Sequence, residues 1–392
     1  MSSTIQAALV SSSQDKHLVE SGEIPFPQIT DDEILIKAVA FAANPTDWKH
    51  IAFKIAKPGD ISGSDVSGIV FHVGKNVKGF AEGDIVSTFV RGGVSPEKGG
   101  FAEYVRASPV STIKYAGPFE KGPLTPSKEY PAGPIDSYEG AASVTLGLVT
   151  VTLSFAHALK LKADSNKAIL IWSGATATGI LAIQLAKLLF GLKVITTASP
   201  KHHDFLKSLG ADAVFDYKDP EVVSKIRKYA QGSIAYGFDT ISEEATFQAL
   251  YDATEGSENV ALDNLLGLDG SSIKTKPGRH VSFGKTLAYL VFGKSVSMGA
   301  EFKFTPEILD EYNRLWPKVL EVVPQLKHHK LKVLQPGFTS ASEALNLLQL
   351  GKVSGEKIVW RAQIWVWPYD YEYVYKKMNT VRHYEQTENK NL

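Results

Sequence analysis

A glycine-bearing turn is the stretch of this sequence whose backbone could hold a charged ligand. The turn, S-G-A-T-A-T-G at 173–179, follows an apolar run at Ala168–Trp172 with the length of a buried parallel strand. Apolar residues then recur at helical spacing up to Gly191, and a second apolar run begins at Val194. This β-α-β order places a diphosphate on a helix N-terminus. The expected diphosphate contacts are Ser173, Gly174, Ala175, Thr176, Ala177, Thr178 and Gly179.

The turn departs from the usual dinucleotide fingerprint at one position. Against G-x-G-x-x-G, the three glycine positions fall on Gly174, Thr176 and Gly179, so the middle glycine is replaced. Because a strand precedes the turn and a helix follows it, we favour a dinucleotide site. The alternative is a plain corner between strand and helix whose glycines only permit close packing.

The end of the second strand indicates which dinucleotide would bind. NAD-binding proteins place Asp or Glu there to bind the ribose 2′-hydroxyl, but this sequence has Ala198, followed by Ser199 and Lys201. A hydroxyl and a cation are suited to a 2′-phosphate, so we expect NADPH as the cofactor. Ser199 could instead cap the next helix, with Lys201 solvated in its first turn. Both interpretations can hold together.

Composition narrows the class of protein. Hydrophobic residues make up 44% of the 392 residues and charged residues 21%, as expected for a globular chain long enough for two domains. The formal net charge is zero, so we expect no nucleic-acid partner. Cysteine is absent, which removes disulfides and thiolate metal ligands. With no apolar leader and no run approaching the roughly 20 residues of a membrane span, we expect no membrane partner and a cytoplasmic location.

The first part of the chain is predicted to be rich in strands. Short apolar or alternating runs recur at 34–40, 68–73, 84–90 and 102–107, separated by clusters of turn residues. This pattern is typical of a compact, partly open barrel. Residues 116–137 contain many Pro, Gly and Lys residues and are predicted to form a long surface loop.

Strands and helices alternate after the glycine turn, which predicts a parallel doubly wound sheet. The stretch 286–292 is the expected edge strand of this sheet, and an apolar edge needs cover or a partner, so we expect either a monomer or a homodimer. The predicted helices are 201–209, 220–230 and 243–253, and the predicted strands are 213–217, 233–241, 259–265 and 286–292.

The last part of the chain is predicted to return to the first. Strands at 331–333 and 357–360 would join the barrel, with helices at 306–325 and 341–349. The predicted domains are a catalytic domain (1–160 and 310–362), a cofactor domain (161–309) and a C-terminal extension (363–392). Aromatic residues of the extension could pack on a neighbouring surface, although we favour a poorly ordered tail.

Five segments match the landmarks of a known superfamily in order. They are G-S-D-V-S-G-I-V at 63–70, G-D-I-V at 83–86, G-F-A-E-Y at 100–104, K-S-L-G-A-D-A-V-F-D-Y at 207–217 and S-G-E-K-I-V at 354–359. Together they resemble the medium-chain dehydrogenase/reductase superfamily over about residues 5–362. The resemblance implies an α/β protein with a GroES-like, partly open β-barrel catalytic domain and a doubly wound Rossmann cofactor domain.

The resemblance points to a branch of this superfamily that works without zinc. Asn44 stands where the zinc enzymes have cysteine, and Ser64 and Asp65 replace their His-Glu pair. The sequence is therefore similar to the zinc-free quinone/enoyl reductases, and no metal is expected. N-P-T-D-W-K at 44–49 and A-S-P at 198–200 resemble the fungal group that contains toxD-like proteins and trans-acting enoyl reductases.

The resemblance also implies roles for individual residues. Asn44 and Thr46 would lie beside the nicotinamide, and Thr150 would lie near both nicotinamide and substrate carbonyl. Lys49 would bind a thioester carbonyl or developing enolate oxygen, and Tyr217 would belong to the cofactor site. Alternatively, Asn44 only builds a turn that Asp47 caps, and Lys49 is solvated.

These residues favour an NADPH-dependent reductase that transfers hydride to a C=C bond conjugated to a carbonyl. The substrate would be a small molecule or an acyl thioester. One alternative is an NADPH-dependent aldehyde reductase that uses the same pocket, and another is a non-catalytic sensor that binds NADPH. The sequence identifies no proton donor for either reduction.

Overall fold

Two large β-sheets, with helices packed on them, form most of the part of the chain that the structure describes. The structure is a computed structural model that describes residues 4–14, 17–298 and 300–363. The predicted C-terminal extension therefore lies, apart from its first residue, outside the described residues.

The observed strands and helices follow most of the predicted order. The strands are β1 (Thr4–Val10), β2 (Val19–Pro25), β3 (Ile34–Ala42), β4 (Asp65–Val73), β5 (Ile85–Phe89), β6 (Tyr104–Ala107), β7 (Thr112–Lys114), β8 (Glu129–Tyr130), β9 (Gly133–Pro134), β10 (Ala168–Trp172), β11 (Lys193–Thr197), β12 (Ala213–Phe215), β13 (Ile234–Asp239), β14 (Asn259–Asn264), β15 (His280–Phe283), β16 (Val296–Met298), β17 (Ala300–Phe302), β18 (Lys327–His328), β19 (Leu331–Val333) and β20 (Lys357–Arg361). The helices are α1 (Pro45–Ala52), α2 (Tyr138–Ala142), α3 (Thr145–Leu153), α4 (Ala177–Phe190), α5 (His203–Ser208), α6 (Val222–Ala230), α7 (Glu244–Ala253), α8 (Pro306–Val322) and α9 (Ser340–Gln349).

The N-terminal sheet is organised around β3. Its order is β7-β5-β4-β3-β20-β19-β8, and β6 also pairs with β3. Strand β20 runs antiparallel to β3, with Val359 opposite Ala42, so the end of the described chain completes the barrel begun near its start. Phe41, Phe101 and Trp360 fill the interior, with ring centroids 4.7–5.6 Å apart. Burial of these large rings stabilises the closure of the sheet.

The second sheet is parallel throughout and carries the glycine turn at its centre. Its order is β12-β11-β10-β13-β14-β15, which is the doubly wound arrangement. The strand order reverses between β10 and β13, so a crevice opens outside the carboxyl ends of these two strands, where such sheets bind ligands. Residues 173–179 lie at this crevice because they follow β10 directly.

The prediction of an edge strand at 286–292 is wrong. Residues Ala288–Phe292 form a 3-10 helix, and most of their side chains are buried. Strand β15, which lies between the predicted strands 259–265 and 286–292 and was not itself predicted, forms the sheet edge instead. A short apolar run cannot by itself distinguish a buried strand from a buried helical turn. Here the run is apolar because it packs against residues such as Phe89.

One apolar helical stretch is longer than the sequence analysis expected of any apolar run. Tyr138–Ala158 is long and apolar enough by length and composition to cross a membrane, although the sequence analysis found no such run. In the described structure 72% of its most apolar window is buried, as in the core helix of many globular proteins.

Gly174 is the glycine of the turn that packing requires most directly. A Cβ atom at this position would lie 2.1 Å from Thr196 Oγ1 and 3.0 Å from Ile183 Cδ1. The Thr196 hydroxyl cannot easily move, because it donates a 2.7 Å hydrogen bond to the Ile171 carbonyl inside the sheet. We expect Gly174→Ala to lower the free energy of unfolding by about 1–3 kcal/mol, as overpacking does.

Urea unfolding followed by circular dichroism measures this change. Gly122→Ala is the matched control, because a Cβ atom there meets nothing within 4 Å. The control should stay within about 0.5 kcal/mol of the wild type. Equal stability of the two variants would contradict the proposed close packing at Gly174.

Candidate active site

Thr176, the residue that replaces the middle glycine of the fingerprint, caps the helix that follows the turn. Its Oγ1 accepts a 2.9 Å hydrogen bond from the Gly179 N–H and donates to Thr240 Oγ1 at 2.9 Å. Ala177 and Thr178 are the first residues of α4, so their N–H groups have no partner within the helix. These N–H groups, at the positive end of the helix, are suited to bind a diphosphate.

The predicted 2′-phosphate residues lie together beside the end of β11. Ser199 Oγ donates to the Tyr217 hydroxyl at 3.4 Å, and Lys201 follows in the 3-10 helix Pro200–His202. Lys201 forms no ion pair with an acidic group in the part of the chain that the structure describes. Ala198 is buried, so the first side chains that could meet a ligand here are Ser199 and Lys201.

His329 approaches the glycine turn from a distant part of the chain. It lies between β18 and β19, and its Nε2–H donates a 3.0 Å hydrogen bond to the Ala175 carbonyl. Its Nδ1 atom is buried and has no hydrogen-bond partner among the described residues. Burial lowers the pKa of His329 to about 4, although the bond to Ala175 acts in the opposite direction. The sequence analysis missed this contact, because nothing near His329 predicts it.

Asn44 is the N-cap residue of α1, and its polar atoms form hydrogen bonds within the protein. Its N–H donates to Asp47 Oδ2 at 2.8 Å, which is the capping interaction considered from the sequence. Its Nδ2 donates to Asp65 Oδ2 at 2.9 Å, and its Oδ1 accepts from Lys357 Nζ. Because the side chain is 5% exposed and already bonded, the contacts describe a positioning role, and its nicotinamide contact stays a prediction.

Asp65 is the centre of this buried polar cluster. It also accepts a 2.8 Å bond from the Leu146 N–H, and Lys357 Nζ lies 3.5 Å from its Oδ2. Burial raises the pKa of Asp65 and lowers the pKa of Lys357, while the attraction between the two charges opposes both shifts. Asp47 accepts from Ser64 Oγ at 2.7 Å, and burial raises its pKa to about 7.

Thr150 and Lys49, the other predicted active-site residues, are placed by α3 and α1. Thr150 Oγ1 donates to the Leu146 carbonyl at 2.7 Å, so its lone pairs are the part left for a ligand. Lys49 is partly buried, and burial lowers its pKa while the charge of Glu243 raises it. Glu243 precedes α7, a helix that packs on the parallel sheet. Because the charge of Glu243 acts on Lys49, Lys49 lies within electrostatic reach of the nucleotide-binding part.

Thr46 contacts two residues that the sequence analysis did not identify, His50 and Tyr289, and Arg91 in turn packs on Tyr289. The Thr46 Oγ1 atom lies 2.7 Å from the Tyr289 hydroxyl and 3.4 Å from His50 Nε2. The Tyr289 hydroxyl lies 3.3 Å from the same His50 Nε2 atom. The Arg91 guanidinium stands 4.9 Å from the centre of the Tyr289 ring. His50 follows Lys49 in the sequence and could have been noticed there, whereas Tyr289 was hidden in the apolar run assigned to a strand.

Comparison with known families gives the class of protein. Residues 30–116 match the family described as alcohol dehydrogenase GroES-like domain, and residues 177–287 match the family described as zinc-binding dehydrogenase. These matches fall on the barrel and on the parallel sheet. These family matches identify an oxidoreductase of a family that binds a nicotinamide cofactor, NAD or NADP.

Relatives and solved structures agree with this class. Trans-enoyl reductase TOXD of Cochliobolus carbonum is 39% identical over 301 residues, 74% of this chain and 92% of the relative. Trans-enoyl reductase ACTTS2 of Alternaria alternata is 36% identical over 367 residues, 90% of this chain and 98% of the relative. A quinone oxidoreductase from Coxiella burnetii has the same fold (TM-score 0.63, 24% identity, 92% of this chain and 100% of that chain). The chain belongs to the medium-chain dehydrogenase/reductase superfamily.

Zinc does not fit the residues at the position where zinc enzymes of the superfamily bind their metal. An amide at Asn44 and a hydroxyl at Ser64 are not the Cys and His ligands that zinc prefers. The carboxylate of Asp65 is already bonded to Asn44 and Leu146 and paired with the Lys357 ammonium. Among the described residues, no group of three or more His, Asp or Glu side chains could hold a metal.

The burial of His329 beside the glycine turn can be tested through its titration. Its pKa is about 4 in the folded protein and 6.5 in the unfolded chain, so only the unfolded chain takes up its proton between these values. The contribution of His329 to the free energy of unfolding therefore falls by about 3 kcal/mol as the pH drops from 6.5 to 4.

The variant His329→Gln keeps an N–H donor for Ala175 but cannot titrate. We expect the variant to gain stability relative to the wild type by up to about 3 kcal/mol between pH 7.5 and pH 4. Denaturant unfolding at both pH values measures the difference, and pH 7.5 is the internal control. A stability difference that does not change with pH would show that burial does not hold His329 neutral at this position.

Proposed function

We propose that this oxidoreductase uses NADPH to reduce a C=C bond conjugated to a carbonyl group. The observation that carries the proposal is the similarity, at 32–39% identity, to proteins named trans-enoyl reductases. The substrate would be a small enone or enal, or an acyl thioester. NADPH would supply the hydride, which adds to the carbon β to the carbonyl while a proton adds to the α-carbon.

The chain's own residues would bind and polarise the substrate. Thr46 and Thr150 present hydroxyl oxygens from α1 and α3, close to the segments that should flank the nicotinamide. Lys49 is the cation of this group, and it would bind the carbonyl oxygen as negative charge develops there. Partial burial strengthens this interaction because water screens the charge less.

The choice of cofactor follows from the strand end. Ser199 and Lys201 would bind the 2′-phosphate of NADPH, with Tyr217 beside Ser199. Each charge-assisted hydrogen bond contributes about 1.5–3 kcal/mol, and exposure of Lys201 reduces its share. No carboxylate stands at residues 198–200 to bind the ribose 2′-hydroxyl of NADH instead.

The product formed from an α,β-unsaturated aldehyde tests the reaction. The wild-type protein, supplied with NADPH and a short enal, should form the saturated aldehyde, as gas chromatography would show. An allylic alcohol as the main product would instead identify a carbonyl reductase. NADPH binding without turnover on enals, enones and unsaturated thioesters would identify a cofactor-binding sensor, and the proposed reaction would be wrong.

Lys201→Ala tests the choice of cofactor. We expect this variant to bind NADPH roughly tenfold more weakly, a loss of about 1.4 kcal/mol, and to bind NADH as the wild type does. Ser199→Asp should go further and favour NADH, because its carboxylate repels the phosphate and accepts from a ribose hydroxyl. Fluorescence titration with both cofactors gives the dissociation constants.

Lys193→Ala is the matched control for the lost charge. Lys193 is an exposed lysine at the opposite end of β11, where no cofactor contact is expected. Its removal should leave both dissociation constants nearly unchanged. Equal weakening of NADPH and NADH binding by Lys201→Ala would refute a contact with the 2′-phosphate.

A further inference from the structure

Tyr289 is fixed at the edge of the cleft by aromatic packing. Its ring stacks on Phe89 with centroids 5.5 Å apart and an angle of 27° between the rings. Phe292, from the same 3-10 helix, packs on Phe89 as well, at 5.4 Å. Only 3% of Tyr289 is exposed, so its hydroxyl meets a small set of neighbours at defined positions.

Two of those neighbours, Thr46 and His50, form a set of hydrogen bonds with Tyr289, and Ser64 is a further hydrogen-bonding neighbour of the phenol. His50 Nδ1 lies 2.9 Å from the Gly92 carbonyl, which can only accept, so Nδ1 carries the hydrogen and Nε2 is an acceptor. One hydroxyl hydrogen lies between Thr46 and Tyr289, and the other points to His50 Nε2. The imidazole orients the two hydroxyl groups.

His50 cannot be the proton source at neutral pH. Burial lowers its pKa to about 4, with the charge of Arg91 acting in the same direction, so the ring is neutral and its single hydrogen faces Gly92. An aliphatic hydroxyl such as Thr46 is too weak an acid to supply a proton by itself. The phenol of Tyr289 is the most acidic hydroxyl in this set.

The surroundings of Tyr289 keep its phenol protonated before the reaction. Burial raises the pKa of Tyr289 above its usual value, so the phenol is protonated at neutral pH. The Arg91 guanidinium, 4.9 Å from the ring centre, favours the phenolate once the proton has left. Arg91 Nε is buried without a hydrogen-bond partner among the described residues. The negative charge of the phenolate would therefore lie beside a guanidinium nitrogen that has no other partner there.

We propose that Tyr289 is the acid of this active site and that its proton reaches the substrate through the Thr46 hydroxyl. The O–H bond of Tyr289 breaks as Thr46 accepts the proton, and the O–H bond of Thr46 breaks as a C–H bond forms at the α-carbon. The hydride and its two electrons come from the dihydronicotinamide, which is oxidised while the C=C bond is reduced. The negative charge of the enolate thus moves to Tyr289, beside Arg91, and water later returns a proton to the phenolate.

Thr46 can serve as the last member of this relay because it is half-buried, whereas Tyr289 is almost completely enclosed. The distance of 2.7 Å between Thr46 Oγ1 and the Tyr289 hydroxyl is short enough for direct proton transfer. The inference rests on the proposed reduction, and it adds the proton donor that the reaction requires.

Reduction of a short α,β-unsaturated thioester in D₂O tests the relay. The saturated thioester that forms exchanges its α-hydrogens with water slowly, so the position of deuterium in it reports the protonation step. Wild-type protein should place one deuterium on a single face of the α-carbon. Tyr289→Phe keeps the ring on Phe89 and removes only the hydroxyl. We expect its turnover to fall about a hundredfold, deuterium to appear on both faces and NADPH affinity to stay within a few-fold of wild type.

Two substitutions at Thr46 separate the relay from packing. Thr46→Ser keeps a hydroxyl and should keep deuterium on one face, while Thr46→Val keeps the shape and should lose both rate and face selectivity. A merely structural role of Tyr289 or Thr46 would lower turnover without changing the face that is deuterated.

Each outcome separates the relay from the proposed reaction. Single-face deuteration and near-normal turnover by Tyr289→Phe would overturn the relay while leaving the proposed reduction intact, and Lys49 would become the next proton source to test. Carbonyl reduction by the wild type would refute the proposed reaction. The relay would then protonate oxygen, and the solvent isotope effect on turnover should disappear in Tyr289→Phe. A wild-type protein that turns over neither group overturns both proposals.

Discussion

The buried contact of Asp65 with Asn44 and Lys357 is the interaction on which the geometry of the active site depends. Asp65 is completely buried and Lys357 almost completely, and Asn44 bonds to both. Removing two charges from water is costly, so such a cluster is stable only when every partner is present. Loss of one partner would leave an uncompensated buried group, at a cost of about 3–5 kcal/mol. Asp47, whose pKa is raised to about 7, adds less than a full negative charge at neutral pH.

This cluster holds together segments that are far apart in the sequence. Asn44 is the N-cap residue of α1, Asp65 is the first residue of β4 and Lys357 the first of β20, while Leu146 of α3 donates to Asp65. The position of α1 determines where Thr46, Lys49 and His50 lie, and α3 carries Thr150. A single set of hydrogen bonds therefore connects the two helices that carry the proposed substrate-binding side chains. The same bonds occupy the position where zinc enzymes of the superfamily would bind their metal.

Two further contacts connect the barrel with the nucleotide-binding sheet. Tyr289 reaches Thr46, and His329 reaches the glycine turn at Ala175. Both contacts join a neutral, buried titratable group to a residue expected to lie beside the cofactor. Burial is the common cause, since it disfavours the charged forms of phenol and imidazole alike. The cofactor crevice is thus bordered by groups whose protonation is determined by the fold.

The sequence by itself determined the features that depend on neighbouring residues. Strand, glycine turn and helix follow one another within 168–190, and Ala198 at the next strand end follows soon after, so local signals were sufficient. The superfamily landmarks added the barrel and the return of β20. Only the tertiary structure could place Tyr289, His329 and Lys357 in the site. Their contacts span 154 to 313 residues of chain, and long-range packing leaves no local pattern that predicts them.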